Sequence, residues 1–450
     1  MAYTVEEITL SFIAEATGGE IVFGHSDKTI DSISTDSRDS KNASLFIALS
    51  GEKFDGNQFI PSAIDGGAKG YMSDGACDFT DCEFAIKVKD TKKALLDLAS
   101  AYRDRFSINI VGLTGSVGKT TTKELIASVL ETERNIIKTQ GNFNNEIGLP
   151  LTLFGIRKDH QIGVIEMGMS DFGEISRLTR CAKPQVAIIT NIGESHIEYL
   201  GSQEGILKAK CEILEGLKEN GVVILNGDDP LLLSIKGTLP FKTIYYGMKN
   251  ADCEVVAENV DIGNNGISFT VDGEKYSVNL VGEHNVLNAL CAITVGKICG
   301  LNADNIRKGL ASYESTGIRQ SITEKNGIKV ITDCYNAAPT SVKAAIGVLS
   351  KIGEGRKIAV LGDMAELGKK APQYHREIGR FAVDSGLDIL ILTGEYAEFT
   401  AQGAEGLKVS IQKDNESIEK YLKEILCVGD TVLFKGSRVM KLEEVANKFN

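Results

Sequence analysis

The sequence lacks a long apolar run, a CxxC pair and an excess of basic residues. No apolar stretch approaches the ~20 residues that a membrane span needs, so we expect no transmembrane segment. The N-terminus is acidic and has neither the basic start nor the apolar core of a secretion signal. Nine cysteines are scattered without the spacing of a zinc site or a disulfide framework. These absences favour a soluble protein in a reducing, cytoplasmic compartment.

The charge balance limits the ligands that the protein can bind. A net charge of −12 argues against a nucleic-acid partner, because a general nucleic-acid binder carries a basic face. An anionic ligand must therefore be held at a local site that supplies positive charge or a metal ion. With 42% hydrophobic and 24% charged residues, the composition is that of ordinary globular domains. At ~150 residues per domain, a chain of 450 residues suggests three domains.

Short apolar segments alternate with helical patterns through the middle of the chain. Four of them predict buried strands, because they are short, β-branched and bounded by turn residues. These four are Ile108–Leu113, Ile162–Met167, Val186–Asn191 and Val222–Asn226. Helical periodicity over Thr121–Glu131 and Gln203–Leu217 separates them, which is the pattern of a parallel α/β sheet.

A second alternation of strands and helices begins near residue 316. Its predicted strands are Val330–Thr332, Lys357–Leu361, Leu387–Leu392 and Thr431–Lys435. We therefore predict an α/β protein of three domains. Residues 1–88 form a small mixed α/β domain, residues 89–316 a central P-loop domain with a parallel sheet, and residues 317–450 a Rossmann-like, doubly wound C-terminal domain.

The sharpest local pattern is Gly112-Leu-Thr-Gly-Ser-Val-Gly-Lys-Thr-Thr-Thr122, which follows an apolar strand and opens an amphipathic helix. Backbone N–H groups of such a loop, with the positive end of the helix, cradle phosphate oxygens. Lys119 would reach the β- and γ-phosphates, and Thr120 would bind Mg²⁺. The strict pattern wants glycine at position 113, which is Leu113, and the glycine lies one residue earlier. The predicted loop residues that bind ATP or GTP are Gly115, Ser116, Val117, Gly118, Lys119, Thr120 and Thr121.

Two further polar residues follow apolar strands. A bound nucleoside triphosphate needs a carboxylate near the end of a neighbouring strand to hold Mg²⁺. Glu166 ends the apolar run of Val164-Ile-Glu-Met-Gly168, and His196 follows the next predicted strand. Both positions lie at the sheet edge where ligands of α/β proteins bind. We therefore predict that Glu166 and His196 belong to the nucleotide site.

In their order and spacing, the motifs resemble the Mur ligase family nearly from end to end. The N-terminal motifs are Thr35-Asp-Ser-Arg38 and Phe54-Asp-Gly56. The central motifs are the phosphate loop, Thr139-Gln-Gly-Asn-Phe-Asn-Asn-Glu-Ile-Gly-Leu-Pro150, Glu166-Met-Gly168, Thr190-Asn-Ile-Gly193 with His196, Ala209-Lys210, and Gly282-Glu-His-Asn285 with Asn288. The C-terminal motifs are Asp333-Cys-Tyr-Asn-Ala-Ala-Pro339, Leu361-Gly-Asp-Met-Ala-Glu-Leu-Gly368 and Lys435-Gly-Ser-Arg438. Several of these motifs are similar to those of the family member that adds a dipeptide.

The resemblance implies an ATP-dependent amide ligase of peptidoglycan precursor synthesis that acts through an acyl phosphate. The implied substrates are UDP-N-acetylmuramoyl-tripeptide and D-alanyl-D-alanine, and we expect a monomer. Lys119, Lys210, His196 and Glu166 are the implied catalytic residues. Thr120 and Glu166 would hold one Mg²⁺, and His196 would help to hold a second with a carbamate on Lys210. The other implied ATP-binding residues are Asn285, Asn288, Arg319, Asp333, Tyr335 and Asn336.

The resemblance also implies where the two substrates bind. Ser37 and Arg38 are the candidates for the uridine nucleotide, and Asn144 and Asn145 for the sugar-peptide. The dipeptide has a carboxylate that needs a cation and an ammonium that needs an anion. The candidates for these contacts are Asp363, Glu366, Lys435 and Arg438.

Three other functions compete with this interpretation. A folylpolyglutamate-type ligase shares the core fold and the chemistry, but the N-terminal domain with Thr35-Asp-Ser-Arg38 argues against it. A P-loop NTPase switch would turn over nucleotide without an amine substrate, and it leaves the C-terminal motifs unexplained. A catalytically inactive regulator would not need Lys119, Glu166, His196 and Lys210, all of which are present.

Overall fold

The computed structural model describes residues 2–41, 43–51, 54–264, 266–314 and 319–449, with the backbone only at Phe54. The chain packs into two compact units. The first contains Met1–Thr114, Arg134–Ile188 and Cys211–Val223, and the second contains Gly115–Glu133, Ile189–Lys210 and Ile224–Asn450. No helix in the described ranges combines the length and the apolar character needed to cross a membrane. The predicted domain boundary at residues 316 and 317 lies outside the described residues.

A mixed sheet forms the N-terminal part of the first unit. Its strands and a two-stranded ribbon (β5 with β6) are β1 Tyr3–Thr9, β2 Glu20–Phe23, β3 Thr29–Ser34, β4 Leu45–Ile47, β5 Ser50–Gly51, β6 Phe54–Asp55, β7 Gly70–Ser73 and β8 Phe84–Lys87. The sheet order is β1-β3-β4-β7-β8-β2, and its two edge pairs are antiparallel. Helices α1 Leu10–Thr17, α2 Ile60–Asp65 and α3 Thr91–Asp104 accompany it. Apolar side chains such as Phe46, Ile60 and Tyr71 form a buried cluster here.

A seven-stranded sheet follows, with strand order β10-β11-β9-β12-β13-β14-β15. Its strands are β9 Asn109–Thr114, β10 Ile136–Lys138, β11 Ile162–Glu166, β12 Val186–Ile189, β13 Val222–Asn226, β14 Lys242–Gly247 and β15 Val255–Val256. The intervening helices are α4 Lys119–Leu130, α5 Gly148–Phe154, α6 Glu174–Ala182, α7 Ile197–Leu200, α8 Gln203–Cys211 and α9 Pro230–Ser234. The β10–β11 and β11–β9 pairs are parallel, as the alternation of strands and helices predicts.

The predicted helix over Gln203–Leu217 is wrong at its C-terminal end. Helix α8 stops at Cys211, and a 3₁₀ turn over Glu212–Gly216 follows. In this turn, the Glu212 carboxylate accepts hydrogen bonds from the N–H groups of Gly173 and Ser176, at the start of α6. The helical periodicity of the sequence does not reveal this capping contact, which competes with continuation of α8.

The second unit continues with an antiparallel meander and a C-terminal sheet. The meander has β16 Glu258–Ile262, β17 Ile267–Val271 and β18 Glu274–Val278, and helices α10 Glu283–Ile298 and α11 Ala303–Ala311 follow. The C-terminal strands are β19 Ser321–Lys325, β20 Ile328–Thr332, β21 Lys357–Leu361, β22 Ile389–Leu392, β23 Lys408–Ile411 and β24 Thr431–Lys435. Their order is β19-β20-β24-β21-β22-β23, parallel except for the β19–β20 hairpin.

Five helices accompany the C-terminal sheet. They are α12 Pro339–Ile352, α13 Ala371–Asp384, α14 Ala397–Gly403, α15 Asn415–Ile425 and α16 Leu442–Ala446. The strands bury continuous runs of Val, Ile and Leu, because a parallel sheet is covered on both faces. The polar residues that follow β20, β21 and β24 therefore come to one edge of this sheet, at the carboxyl ends of the strands.

Candidate active site

The phosphate loop is the turn between β9 and α4, and its glycines have a steric reason. A Cβ atom on Gly115 would lie 1.9 Å from Thr190 Oγ1, and one on Gly118 would lie 2.8 Å from Asn288 Oδ1. Gly118 also has a left-handed backbone, with φ of 81°. The Lys119 ammonium folds back over the loop and donates a 2.7 Å hydrogen bond to the Gly115 carbonyl. The turn is thus preformed as a close-fitting backbone loop with a cation above it.

The carboxamide of Asn191 holds the tip of this loop. It accepts from the Val117 N–H at 2.9 Å and donates to the Val117 carbonyl at 2.8 Å. The hydroxyl of Thr190 donates to the same carbonyl at 2.9 Å. In the sequence analysis, Asn191 is part of a motif and has no predicted role. Its partner Val117 lies 74 residues away along the chain, so the contact could not be predicted from local sequence.

The two predicted ATP-binding residues Asn285 and Asn288 lie in a buried amide network. Asn288 accepts from the Thr122 hydroxyl at 3.1 Å and donates to Asn285 Oδ1 at 2.9 Å. Asn285 in turn donates to the Val281 carbonyl and to Gln320 Oε1, both at 2.9 Å. The network ties the first turn of α4 to the start of α10. Gln320 is a member of the site that sequence reasoning missed.

Lys210 is buried at the end of α8, with 2% of its surface exposed. Burial lowers its pKa well below the ordinary lysine value, and the positive charge of Lys119 lowers it further. Within the described chain, no acidic group acts on this pKa. The structure therefore favours the neutral amine, whereas the neighbouring Lys208 is exposed.

His196 and Glu366, which the sequence analysis assigned to different ligands, lie in direct contact. His196 Nδ1 lies 2.5 Å from Glu366 Oε2. The histidine lowers the pKa of the Glu366 carboxyl, chiefly through this contact. Both residues have left-handed backbones, with φ of 65° and 60°. Non-glycine residues keep this conformation only where their surroundings impose it.

Glu166 and Asn144 contact each other in the first unit. Glu166 is buried at the end of β11 and accepts a 2.8 Å hydrogen bond from Asn144 Nδ2. Its backbone N–H donates to the Thr139 hydroxyl at 3.0 Å. Asn145 has a different contact, because its side chain accepts from the N–H groups of Ile147 and Gly148 at the start of α5. A cleft of about 180 Å³, lined by Asn145, Glu146, Glu174 and Lys92 among others, lies beside this loop.

The predicted ATP contacts of the C-terminal segment cluster around Lys435. This buried ammonium contacts Asp333 Oδ2 at 2.6 Å and donates to the carbonyls of Asn336 at 3.0 Å and Asp333 at 3.3 Å. Its hydrogen-bonding capacity is therefore used within the protein. The Arg319 guanidinium lies over the Tyr335 ring, 3.6 Å from its centroid.

Asp363 organises a neighbouring loop. Its two carboxylate oxygens accept from the N–H groups of Glu395 and Tyr396, at 2.8 and 3.0 Å. His375, buried beneath, accepts from the Met364 N–H through Nε2 and contacts the Ala371 carbonyl through Nδ1. Burial lowers the pKa of His375, so the neutral ring is favoured.

The remaining substrate candidates are more exposed. Arg438, beyond β24, pairs with Glu443 at 2.6 Å. Ser37 and Arg38 lie in a 3₁₀ turn over Ser37–Asp39. Arg38 is 88% exposed and holds Asp36, whose carboxyl pKa falls to about 2 mainly because of this hydrogen bond.

Family models match three successive parts of the chain. The one described as "Mur ligase family, catalytic domain" matches residues 29–103, "Mur ligase middle domain" matches residues 113–296, and "Mur ligase, glutamate ligase domain" matches residues 319–438. The UDP-N-acetylmuramoyl-tripeptide–D-alanyl-D-alanine ligase of Bacillus subtilis (strain 168) is 40% identical over 447 residues, 97% of each chain. The chain belongs to the Mur ligase family.

Solved Mur ligase structures have the same fold as this chain. A crystal structure of MurF from Acinetobacter baumannii matches with a TM-score of 0.92 and 30% identity over 99% of both chains. The MurF ligase of Thermotoga maritima, solved in complex with ADP, matches with a TM-score of 0.84 and 30% identity over 93% of this chain and 96% of that one. The α/β class and the family predicted from the motifs are confirmed.

A Mur ligase needs to hold a nucleotide and its metal, and the residues present fit this need. Among the described residues, no three His, Cys, Asp or Glu side chains group as a ready metal site. Such a cluster is not required for Mg²⁺, because this ion usually keeps several waters and binds through one or two carboxylates together with substrate phosphates. The nearly unexposed carboxylate of Glu166 is an oxygen donor of the kind that such a metal requires.

Proposed function

We propose that this chain joins D-alanyl-D-alanine to UDP-N-acetylmuramoyl-tripeptide at the expense of ATP, in peptidoglycan precursor synthesis. A carboxylate oxygen of the tripeptide attacks the γ-phosphorus, and the bond to the bridging oxygen of ADP breaks. The amine nitrogen of the dipeptide then attacks the acyl carbon of the acyl phosphate, and inorganic phosphate leaves. The products are the amide, ADP and phosphate.

The observation that carries this proposal is the 40% identity with the Bacillus subtilis ligase along 97% of both chains. The geometry of the site supports the same chemistry, because a preformed phosphate loop lies in the same unit as a buried amine that loses its proton readily. An NTPase switch has no use for such an amine. The match of residues 29–103 to the Mur ligase catalytic domain supports the proposal over a folylpolyglutamate-type ligase.

Charge is the physical difficulty of the first step. Triphosphate and carboxylate are both anions, and at contact their repulsion is several kcal/mol even at an effective dielectric constant of ~20. We assign Lys119 to the β- and γ-phosphates, and Thr120 and Glu166 would hold Mg²⁺. His196 and Lys210 would hold a second Mg²⁺. Bound Mg²⁺ neutralises phosphate charge and orients the reacting groups.

Lys210 would act as a carbamate. Its neutral amine would attack CO₂, form a C–N bond and release a proton, which leaves an anionic group with the charge of a carboxylate. This modification turns a residue that cannot bind a cation into one that can. The burial of Lys210 and its lowered pKa support this role.

We propose that the three predicted segments divide the substrates. Residues 1–88 would bind the uridine nucleotide through Ser37 and Arg38, residues 89–316 the ATP, and residues 317–450 the dipeptide. Asn144 would contact the sugar-peptide. We also propose a monomer that works in the cytoplasm, and the absence of disulfides among the described residues supports a reducing compartment.

Phosphate release from ATP and Mg²⁺ tests this function, with UDP-N-acetylmuramoyl-tripeptide and D-alanyl-D-alanine supplied singly and together. Release that requires both, with a product heavier by the dipeptide less water, is the expected result. Release that is indifferent to both substrates would favour the NTPase switch. No release would overturn the assigned substrates, and glutamate with a folate would be the next pair to supply.

A further inference from the structure

The loop that carries His196 crosses the loop after β21 at a single point. Besides the 2.5 Å contact between His196 and Glu366, the Glu198 N–H donates to the Glu366 carbonyl at 3.2 Å. Glu198 also packs on the turn at Gly368, where a Cβ would lie 3.2 Å from its Cγ. A side-chain contact and a backbone contact thus fix Glu366 against the loop.

The contact with Glu366 determines which nitrogen of His196 is available. An ionised carboxylate can only accept a hydrogen bond, so its approach to within 2.5 Å of Nδ1 favours the tautomer with the proton on Nδ1, although the contact is not a well-directed hydrogen bond. The lone pair of the ring is then on Nε2, which is the form that binds a metal ion. Histidine ligands usually donate their other ring N–H to a carboxylate or carbonyl, which fixes the tautomer and makes the ligand more basic.

We propose that Glu366 is a positioning residue that orients His196 as a metal ligand and does not itself bind the dipeptide. The inference rests on the proposed function, in which His196 holds the second metal. It makes metal binding dependent on the C-terminal segment, because Glu366 lies between β21 and α13. The second metal would be held fully only when this segment lies against the loop of His196.

Binding of Mn²⁺ tests the inference without measuring activity. The full chain is saturated with a non-hydrolysable ATP analogue in bicarbonate buffer, and free Mn²⁺ is followed by electron paramagnetic resonance. Glu366→Ala should weaken the weaker Mn²⁺ site roughly 10- to 100-fold, the usual effect of losing a carboxylate behind a histidine ligand. Glu198→Ala is the matched control, because it removes a carboxylate from the same crossing without touching the ring of His196, and it should bind Mn²⁺ like the wild type.

A double-mutant cycle separates positioning from direct substrate contact. His196→Ala should lose the weaker Mn²⁺ site. Adding Glu366→Ala should not weaken Mn²⁺ binding further, since the two side chains act together at the same site. If Glu366→Ala keeps the wild-type Mn²⁺ affinity and instead raises the KM for the dipeptide, the inference is overturned. If the wild type binds only one Mn²⁺, the inference and the second metal both fail, while phosphate release still judges the ligase reaction on its own.

Discussion

Lys210 is buried next to the phosphate-loop lysine, Lys119, and the charge of Lys119 adds to burial in lowering the pKa of Lys210. Two cations in one site repel, so the neutral form of the buried lysine is favoured. Bound triphosphate would compensate the charge of Lys119, and a carbamate would replace the lost charge of Lys210 with a negative one. In the proposed function, Lys119 would bind phosphate and Lys210, as a carbamate, would bind metal.

Lys119→Ala should abolish ligation. The substitution removes the cation above the loop and its hydrogen bond to Gly115, and we expect kcat to fall at least ~10²-fold, as for other preorganised charge-stabilising groups. Product formation by mass spectrometry measures the loss. The exposed Lys208→Ala is the control and should keep full activity; ligation by Lys119→Ala at the wild-type rate would remove Lys119 from the site.

Lys210→Ala should also abolish ligation, but added short-chain carboxylates should partly restore it. The rescue is expected because a small carboxylate can occupy the space of the carbamate and supply its charge. Rates are measured with and without formate or acetate, and in buffer with and without bicarbonate. Full activity of Lys210→Ala in bicarbonate-free buffer would contradict a carbamate at this position.

Asn191→Ala should weaken nucleotide binding, although Asn191 itself is not a predicted nucleotide contact. It deletes both hydrogen bonds to Val117 and leaves the Val117 N–H without its partner, a cost of about 1–3 kcal/mol, while the Thr190 hydroxyl still donates to the Val117 carbonyl. We therefore expect the Kd for ADP, followed by isothermal calorimetry, to rise by about tenfold or more. Asn135→Ala removes an exposed asparagine side chain that bonds to Asp159 and should leave the Kd unchanged. Equal ADP affinities for wild type and Asn191→Ala would show that the phosphate loop keeps its conformation without Asn191.

Stability should fall in acid because of His375. Burial lowers its pKa in the folded protein, whereas the unfolded chain has the ordinary value of ~6.5. Below that pH the unfolded chain binds more protons, so the stabilisation present above ~6.5 is lost as the pH falls, by at most ~1.4 kcal/mol per pH unit. The nearby Asp363 carboxylate, 4.0 Å from the ring, opposes part of this shift.

Urea unfolding at pH ~7.5 and pH ~5.5 measures this contribution for wild type and for His375→Gln. The variant has no titrating ring and should lose less stability between the two values. His25→Gln, at an exposed histidine, should behave like the wild type. An identical acid loss in His375→Gln would place the titration elsewhere.

Lys435 and Arg438 should respond differently to substitution. Lys435 is buried and bonded to Asp333 and Asn336, so Lys435→Met should destabilise the protein by about 3–5 kcal/mol, because it leaves a carboxylate without its partner. Arg438 is 60% exposed, and Arg438→Ala should raise the KM for the dipeptide with little change in melting temperature. Lys441→Ala is the exposed control for Arg438. A wild-type dipeptide KM in Arg438→Ala would exclude it as the carboxylate contact.

Much of the fold could be predicted from local sequence. Buried strands such as Val222–Asn226, Lys357–Leu361 and Thr431–Lys435 were predicted with their observed bounds, because β-branched runs covered on both faces leave a clear signal. The end of α8 could not be predicted, since it depends on a capping contact between Glu212 and a helix that starts 38 residues earlier, at Glu174.

The candidate site likewise has a part that local sequence predicts and a part that depends on distant contacts. The phosphate loop is a local motif, so its glycines and Lys119 could be found by spacing alone. The supporting contacts join residues far apart in the chain, such as Thr122 with Asn288, 166 positions away. Sequence reasoning therefore named His196 and Glu366 but could not predict that they form a pair. It quoted Asn191 in a motif without assigning it a role, and it missed Gln320.

The amide network around Asn285 has a practical consequence for anyone who excises the nucleotide-binding part of this Mur ligase. Gln320 lies outside the middle-domain match of residues 113–296, yet it accepts from Asn285 and donates to the Val281 carbonyl at 2.6 Å. A recombinant fragment that stops at that match would leave a buried amide proton of Asn285 without an acceptor. Asn285 is bonded to Asn288, whose side chain lies against the phosphate loop. Fragments intended for nucleotide screening should therefore run through position 320.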